Sequence, residues 1–161
     1  MKVSENRLKW LLRIYPPLLL QRIWTVSFYK DFRGVKVRIF KSFLTRNYNR
    51  SIFGGTVFSA ADPFYPVLFH QVFSHKGYKV ITWSKSAEIH YLKPGMSNLG
   101  FEIQIPEAEI AEVEKMLNTV GKFVKVYQVD IYDNTGETCA IVKNEIYLRN
   151  LNFTENALHN E

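Results

Sequence analysis

A glycine pair followed by a carboxylate at helical spacing is the feature of this sequence best suited to chemistry. Gly54 and Gly55 open an apolar segment, and Asp62 follows Gly54 by eight residues, or about two turns of an α-helix. Because the first N–H groups of a helix have no partner within it, they can stabilise negative charge developing on a carbonyl oxygen. A nearby carboxylate could deprotonate an attacking water. The pattern therefore indicates a site that polarises a carbonyl group and activates water.

One long helix has to position these groups. Residues 55–73 are almost entirely apolar, which predicts a central helix that is buried on all sides, with Asp62 inside it. Pro63 and Pro66 lack an N–H group, so they cannot donate to the carbonyl groups of Ser59 and Asp62. The sequence therefore predicts a kink or local opening at Asp62, and other donors for the freed carbonyl groups.

Short helices and strands are predicted around this central helix. Two amphipathic helices at about 5–15 and 17–23 either cap the domain or lie on a membrane surface. Strands are predicted over 24–32, 35–44, 79–92, 98–105, 122–132 and 137–148, with a further helix from Pro106 to Gly121. In the strand 79–92, alternation places Lys85 on an apolar face with Ile81, Trp83 and Ile89. A lysine there either snorkels at the sheet edge or pairs with Asp62 or with a phosphate or carboxylate of a ligand.

Composition narrows the classes of function. The 161 residues are 47% hydrophobic and 15% aromatic, as expected for one folded domain with a large core. Cys139 is the only cysteine, so no intrachain disulfide can form, and a reducing compartment, the cytoplasm, is predicted. The four histidines lack metal-ligand spacing, and we predict neither a metal nor a cofactor.

Positive charge is concentrated in the first third of the chain. Residues 1–50 contain 12 Lys and Arg against 2 Asp and Glu, whereas residues 51–161 contain 9 against 13. The basic residues either form an ordinary solvated surface or attract the phosphate groups of a ligand or membrane. Nucleic acid is not predicted as a partner, because no helix-turn-helix or RNA-binding motif accompanies the charge. The seven-residue run Ile14–Leu20 is too short for a membrane span.

The order of the predicted elements is the layout of the hotdog fold, an α+β architecture in which a curved antiparallel sheet wraps a long central helix. Phe53-Gly54-Gly55 through Asp62 resembles the His-Gly-Gly…Asp signature of the phenylacetate-type (PaaI-like) acyl-CoA thioesterases, with the same spacing. The segments Thr82–Gly95 and Val129–Gly136 resemble later strands of that superfamily, the first of them in a largely uncharacterised branch. We predict an N-terminal helical extension at 1–23, a hotdog domain at 24–149 and a flexible tail at 150–161.

The resemblance implies a role for each group in the pattern. In such thioesterases an N–H group at the helix start polarises the thioester carbonyl, and a carboxylate in the helix acts as general base or nucleophile. The resemblance assigns the first role to Gly54 or its neighbour Gly55, and the second to Asp62. It also implies that Asn47, or less well Asn49, helps to place the substrate or the water.

Substrate contacts and assembly follow from the same resemblance. Arg46 and Arg50 suit the phosphates of coenzyme A, and Lys85, Phe53 and Trp83 are predicted to contact the substrate. The substrate is then an acyl-CoA or acyl-carrier thioester. The resemblance also implies a homodimer or homotetramer with the site at the subunit interface.

Two positions depart from the thioesterase signature. Phe53 stands where the signature has histidine, and Pro63 directly follows Asp62. Phe53 and Lys85 favour a second hypothesis, a non-catalytic acyl-CoA or fatty-acyl binding protein with the same fold. A third hypothesis is a dimeric interaction module without a small ligand. Thioester hydrolysis is the hypothesis that the spacing of the glycines and the carboxylate favours.

Overall fold

Five α-helices and six strands make up the part of the chain described by the computed structural model, residues 2–154. The predicted tail at 150–161 therefore lies largely outside the described residues. The helices are α1 (Glu5–Ile14), α2 (Pro16–Leu20), α3 (Gly54–Ala61), α4 (Phe64–His75) and α5 (Glu107–Thr119). The strands are β1 (Ile23–Phe28), β2 (Gly34–Ile39), β3 (Val80–Tyr91), β4 (Leu99–Gln104), β5 (Lys122–Tyr132) and β6 (Thr138–Asn150).

The six strands form one antiparallel sheet in the order β1-β2-β4-β5-β6-β3. Bulges interrupt the pairing of β1 with β2, of β3 with β6 and of β5 with β6. Because a bulge bends and twists its strand, these irregularities help the sheet to curve around helices α3 and α4. The predicted α+β hotdog architecture is confirmed.

Aromatic side chains fill the space between the sheet and the central helices. Phe64, Phe69 and Phe73 of α4 are fully buried, and Phe64 meets Phe101 of β4 with ring centroids 5.7 Å apart. Every second residue of β6 is buried against the helices: Ala140, Val142, Asn144, Ile146 and Leu148. Since burial of apolar surface contributes about 25 cal/mol per Å², this layer accounts for much of the stability of the fold.

The predicted break in the central helix is confirmed. Helix α3 ends at Ala61 and helix α4 begins at Phe64, so Asp62 and Pro63 form the break. Side chains of the sheet donate hydrogen bonds to carbonyl groups around it. Ser84 Oγ donates to the Asp62 carbonyl at 3.2 Å, Thr82 Oγ1 to the Pro66 carbonyl at 2.9 Å, and Asn144 Nδ2 to the Ala61 carbonyl at 3.0 Å. Of these three acceptors, the Asp62 carbonyl is the one that Pro66 leaves without its helical donor, so Ser84 supplies a donor that the prolines require. The other two bonds attach the neighbouring carbonyl groups of the break to the sheet.

A bulge at Lys85 overturns the predicted faces of β3. Ser84 pairs with Ile146 and Ser86 with Glu145, so Lys85 is an extra residue on its strand. An extra residue inverts the alternation of side chains from that point on. The predicted face is therefore split, and Ile81 and Trp83 lie on the outer side of the sheet, 37% and 44% exposed. The residues after the bulge that belonged to the same predicted face, Ala87, Ile89 and Tyr91, share the side of the buried residues of β6.

The hairpin before the central helix is shorter than predicted. A 3-10 turn over Lys30–Phe32 follows β1, and β2 ends at Ile39, leaving residues 40–53 as a loop before α3. Thr45 holds this loop in place. Its Oγ1 donates to the Phe40 carbonyl at 2.9 Å, and its own carbonyl accepts from the N–H group of Phe53 at 2.7 Å. The start of α3 is thereby attached to the end of β2.

Gly34 begins β2 where no side chain fits. A Cβ at this position would collide with the carbonyl oxygen of Ile103 and with the ring of Tyr29. We expect Gly34→Ala to lower the free energy of unfolding by about 1–3 kcal/mol, because the backbone of the paired strand cannot move aside. The matched control is Gly95→Ala, whose Cβ would meet side-chain atoms of Leu99 and no backbone atom. Urea unfolding of both variants measures the difference, and equal losses would contradict the prediction.

Candidate active site

A cavity of about 400 Å³ opens at the N-terminus of helix α3. We call it the helix-start cavity. It is formed by the loop before α3, the first turn of that helix, the end of β3 with the segment after it, and the start of β6. Its lining residues are Asn47, Ser51, Ile52, Gly54, Val57, Tyr91, Leu92, Lys93, Pro94, Gly95, Leu99, Cys139 and Ala140. Two of the predicted site residues, Asn47 and Gly54, thus meet at one cavity.

The first two N–H groups of α3 are available to a ligand. Within the described residues, no hydrogen bond is donated by the N–H groups of Gly54 or Gly55, whereas those of Thr56 and Val57 both donate to the Phe53 carbonyl. Helix N-termini present such groups, together with the positive end of the helix dipole, to anionic oxygen. The helix start therefore has the donors that an oxyanion requires.

Glycine at positions 54 and 55 lets other groups approach the helix start closely. Tyr91 donates its hydroxyl proton to the Gly54 carbonyl at 2.8 Å, and a Cβ on Gly54 would stand 2.8 Å from that same hydroxyl oxygen. The ring of Phe53 lies against Gly55, where a Cβ would collide with it. Phe53 itself is 57% exposed. An aromatic ring thus covers part of the helix start at the position where the thioesterase signature has histidine.

The contact between Gly54 and Tyr91 predicts a compensating pair of substitutions. We expect Gly54→Ala to displace the Tyr91 hydroxyl group and to lower the free energy of unfolding by about 1 kcal/mol. The double variant Gly54→Ala with Tyr91→Phe removes the colliding oxygen, and it should be more stable than Gly54→Ala alone. Thermal unfolding of the wild type, both single variants and the double variant measures this coupling. Additive losses would contradict it.

Asn47 lines the cavity, but its amide group is engaged with the loop. Its Oδ1 accepts a hydrogen bond from the N–H group of Ser51 at 3.1 Å, and its Nδ2 lies 2.9 Å from Ser51 Oγ. The amide therefore holds the turn that leads into α3. The role of Asn47 in placing substrate or water stays a prediction.

Lys93 is a cavity residue that the sequence analysis did not single out. Its Nζ forms ion pairs with Asp133, at 2.9 Å, and with Glu137. Hydrogen bonds to Glu137 and Asp133 raise the pKa of Lys93, so its ammonium group stays charged. In the sequence, Lys93-Pro94-Gly95 indicates only the end of a strand. The acidic partners of Lys93 lie in the hairpin between β5 and β6, far along the chain, so a local pattern does not reveal the contact. Cys139 is another cavity residue that was not predicted, and burial raises the pKa of its thiol.

The two predicted phosphate ligands lie on the surface of the loop before α3. Arg46 and Arg50 are both exposed, and Arg50 has a positive φ of 62°. Arg46 borders a shallow depression beside the helix-start cavity, together with Lys41 and Asn98. Both side chains are therefore accessible to solvent, and their predicted contact with coenzyme A phosphates stays a prediction.

Asp62 does not share the cavity with Gly54 in a single chain. Eight residues of helix separate the two positions by about 12 Å. The expectation that Asp62 is buried is wrong, because the break at Pro63 leaves the residue exposed. Among the described residues, nothing forms a hydrogen bond or ion pair with its carboxylate group. Asp62 is thus an accessible carboxylate beside the edge strand β3, whose Ser84 bonds to its carbonyl oxygen.

Lys85 and Trp83 lie away from the helix-start cavity. The Nζ of Lys85 is 3.6 Å from Glu145 Oε2, so within the chain the lysine pairs with β6 and not with Asp62, which was one of the alternatives for it. Trp83 stacks on Tyr147 on the outer side of the sheet, with ring centroids 4.5 Å apart. Their predicted contact with substrate stays a prediction.

No group of three or more His, Cys, Asp or Glu side chains within residues 2–154 is arranged to hold a metal ion. No helix in this part of the chain has the length and apolar character needed to cross a membrane.

Sequence comparison places the chain in a family. Residues 13–148 match the family described as a domain of unknown function, DUF4442. The chain belongs to the DUF4442 family. The match extends from the end of α1 to Leu148 near the end of β6, and it includes both Gly54 and Asp62. No curated protein matches this DUF4442 chain in sequence.

Solved structures share the fold of this DUF4442 protein at low sequence identity. A Pseudomonas aeruginosa protein described as a probable thioesterase has a TM-score of 0.83 and 16% identity, over 93% of this chain and 98% of that one. A Haemophilus influenzae thioesterase has a TM-score of 0.68 and 13% identity, over 96% of each chain. The Escherichia coli PaaI protein of the phenylacetic acid degradation operon has a TM-score of 0.58 and 15% identity, over 94% and 99%. The predicted likeness to hotdog proteins of the thioesterase superfamily is confirmed at the level of the fold.

Proposed function

We propose that this protein hydrolyses acyl thioesters, with coenzyme A or an acyl carrier as the thiol. The observation that carries the proposal is the start of α3, where two N–H groups without partners in the described chain lie beside a cavity of about 400 Å³. An exposed and unpaired carboxylate, Asp62, lies on the same helical segment. Hotdog proteins described as thioesterases share this fold, which supports the reaction class.

The proposed reaction uses the two ends of α3 differently. The thioester carbonyl oxygen accepts hydrogen bonds from the N–H groups of Gly54 and Gly55, which stabilise the charge of the tetrahedral intermediate. Asp62 takes a proton from water as the water oxygen attacks the carbonyl carbon. Collapse of the intermediate breaks the carbon–sulfur bond, and the thiolate leaves with that proton. A carboxylic acid and a free thiol are the products. Direct attack by Asp62 as a nucleophile is the alternative within the same site.

A homodimer would bring the two groups together. Gly54 and Asp62 are about 12 Å apart along one helix, too far for one chain to act on one carbonyl. In a two-fold interface with the α3 helices antiparallel, Asp62 of one protomer would face Gly54 of its partner. The strand β3 supports this arrangement because it is a twelve-residue edge strand without proline that no other described strand pairs on its outer side. We infer that β3 pairs with its counterpart, which would also bring Trp83 and Lys85 toward the interface.

Coenzyme A would extend from the cavity over the loop before α3. Arg46 and Arg50 are exposed on this loop and would contact its phosphate groups, while the acyl chain enters the cavity. Asn47 would place the substrate or the water from the same loop. The cytoplasm is the compartment that we propose for this reaction, since the single cysteine is a free, buried thiol.

One observation favours a second function, binding of acyl-CoA without hydrolysis. The ring of Phe53 lies against Gly55 at the position where the thioesterase signature has histidine, so the polar group of that signature is absent from the helix start. The two functions predict different results with a panel of short, medium, long and aryl acyl-CoA thioesters. Hydrolysis releases free thiol that a chromogenic reagent detects, whereas a binding protein shows heat of binding in calorimetry but no thiol. A panel that gives neither thiol nor binding would contradict both functions and favour an interaction module.

A further inference from the structure

Helices α1 and α2 present an unusually apolar surface to solvent. Six of the large hydrophobic side chains between residues 10 and 20 are exposed by 38–67%, and we call them the N-terminal apolar patch: Trp10, Leu11, Ile14, Tyr15, Leu19 and Leu20. Single exposed apolar residues are normal in globular proteins, but a cluster on one pair of helices marks a surface that is covered in use.

The patch is held in a fixed position, so it cannot fold inward. Leu8 and Leu18 are buried against the domain on the opposite side of these helices. Arg13 donates hydrogen bonds to the carbonyl groups of Thr25, at 2.9 Å, and Val26, at 3.2 Å. Its guanidinium group also lies between the rings of Trp10 and Trp24, 4.6 and 4.4 Å from their centroids. The sheet edge and the helices are thereby joined, and the outer face of the helices stays exposed.

The charge around the patch is almost entirely positive. Residues 2–22 contain five basic residues, which are Lys2, Arg7, Lys9, Arg13 and Arg22, and one acidic residue, Glu5. The carboxylate of Glu5 is engaged with the backbone, since it accepts a hydrogen bond from the N–H group of Asp31 at 3.0 Å. A surface with aromatic and aliphatic side chains at its centre and basic residues around it matches the boundary layer of an anionic bilayer.

A groove beside the patch also combines apolar side chains with a basic residue. It measures about 460 Å³ and is lined by Leu19, Arg22, Ile23, Trp24 and Phe40. Four apolar side chains with one guanidinium group suit an amphiphile that has an anionic head and an apolar tail. The groove shares Leu19 with the patch, so both belong to one continuous surface.

We propose that α1 and α2 dock the protein on the surface of anionic phospholipid bilayers. The apolar patch enters the headgroup region, and Arg7, Lys9 and Arg22 contact lipid phosphates. The helices lie on the membrane and do not cross it, because α1 has ten residues and α2 five. A second copy of the chain is a poorer occupant, since a two-fold contact through this face would oppose the basic residues of one protomer to those of the other. The proposal does not depend on the proposed hydrolysis.

Vesicle flotation of the full chain tests the proposal without an activity measurement. One set of vesicles contains phosphatidylcholine alone, and the other contains roughly 30% phosphatidylglycerol. We expect at least about tenfold stronger binding to the anionic vesicles, and a loss of most of that binding when the salt concentration rises to about 0.5 M.

Two matched variants locate the binding surface. Ile14→Glu with Leu20→Glu changes two exposed patch residues, and we expect it to lower binding to anionic vesicles at least about tenfold. Val124→Glu with Val126→Glu adds the same charges at exposed positions of β5 and should bind as the wild type does. Absence of binding to anionic vesicles, or equal binding by the Ile14 and Leu20 variant, would overturn the proposal. A lower molecular mass of that variant in solution, with no vesicle binding by the wild type, would also overturn it, since a second copy of the chain would then cover the patch.

Discussion

Replacing Asp62 by asparagine is expected to lower kcat/KM for thioester hydrolysis by about 10²–10⁴-fold. Asparagine keeps the shape of the side chain but cannot accept a proton from water at neutral pH. The fold should be unaffected, because the carboxylate is exposed and has no partner among the described residues. Release of free thiol from the best acyl-CoA substrate measures the effect, and thermal unfolding verifies that the variant is folded.

The control for this prediction is Asp130→Asn on β5. Asp130 is also an exposed carboxylate, and its Oδ1 accepts a hydrogen bond only from the neighbouring side chain of Gln128, at 2.8 Å. Its replacement should leave kcat/KM within about twofold of the wild type, because surface substitutions away from a site have small effects. Full hydrolysis by the Asp62 variant would remove Asp62 from the mechanism, whereas equal losses in both variants would point to a general charge effect.

Asn144→Ala is expected to lower the free energy of unfolding more than the loss of an ordinary exposed hydrogen bond would. The side chain is completely buried on β6, and its Nδ2 donates to the Ala61 carbonyl at the helix break. Alanine leaves that buried acceptor without this donor and opens a cavity. We expect the free energy of unfolding to fall by about 2–4 kcal/mol, with a lower melting temperature by roughly 5–10 °C.

The matched control at the same break is Ser84→Ala. Ser84 Oγ donates to the Asp62 carbonyl at 3.2 Å, but this contact is exposed to water, which can replace the lost donor. Its removal should cost less than about 1 kcal/mol. Because Asn144 supports the segment that carries Asp62, kcat/KM should fall in the Asn144 variant as well. Similar stability of the two variants would show that the break does not depend on the buried donor.

The central helix is the part of this protein that the sequence predicts best. Its apolar composition predicts burial, and Pro63 and Pro66 predict the break at Asp62 because they lack N–H groups. The need for other donors follows from the same argument, since buried carbonyl groups rarely stay unpaired. Which residues donate does not follow from it. Ser84 and Asn144 come from strands that lie 22 and 83 residues from their acceptors in the chain.

In strand β3, the alternation of side chains did not predict correctly which residues share a face. Ile81, Trp83, Lys85, Ile89 and Tyr91 share a face only if the strand is regular, and the extra residue at Lys85 breaks that condition. The bulge depends on the partner strand, so the local sequence does not encode it. The bulge affects the candidate site, because the inverted alternation places Tyr91 against Gly54 and leaves Trp83 on the outer side.

Local patterns by themselves determined the α+β hotdog layout, the glycine pair at the helix start, the carboxylate two turns later and the break beside it. These features depend on spacing along one segment, where backbone geometry fixes the outcome. The tertiary structure alone decided that Asp62 is exposed, that Lys85 pairs with Glu145, and that Lys93 and Cys139 reach the helix-start cavity. Those outcomes depend on contacts between residues that are far apart in the sequence, and a local pattern does not show which of these residues the fold brings together.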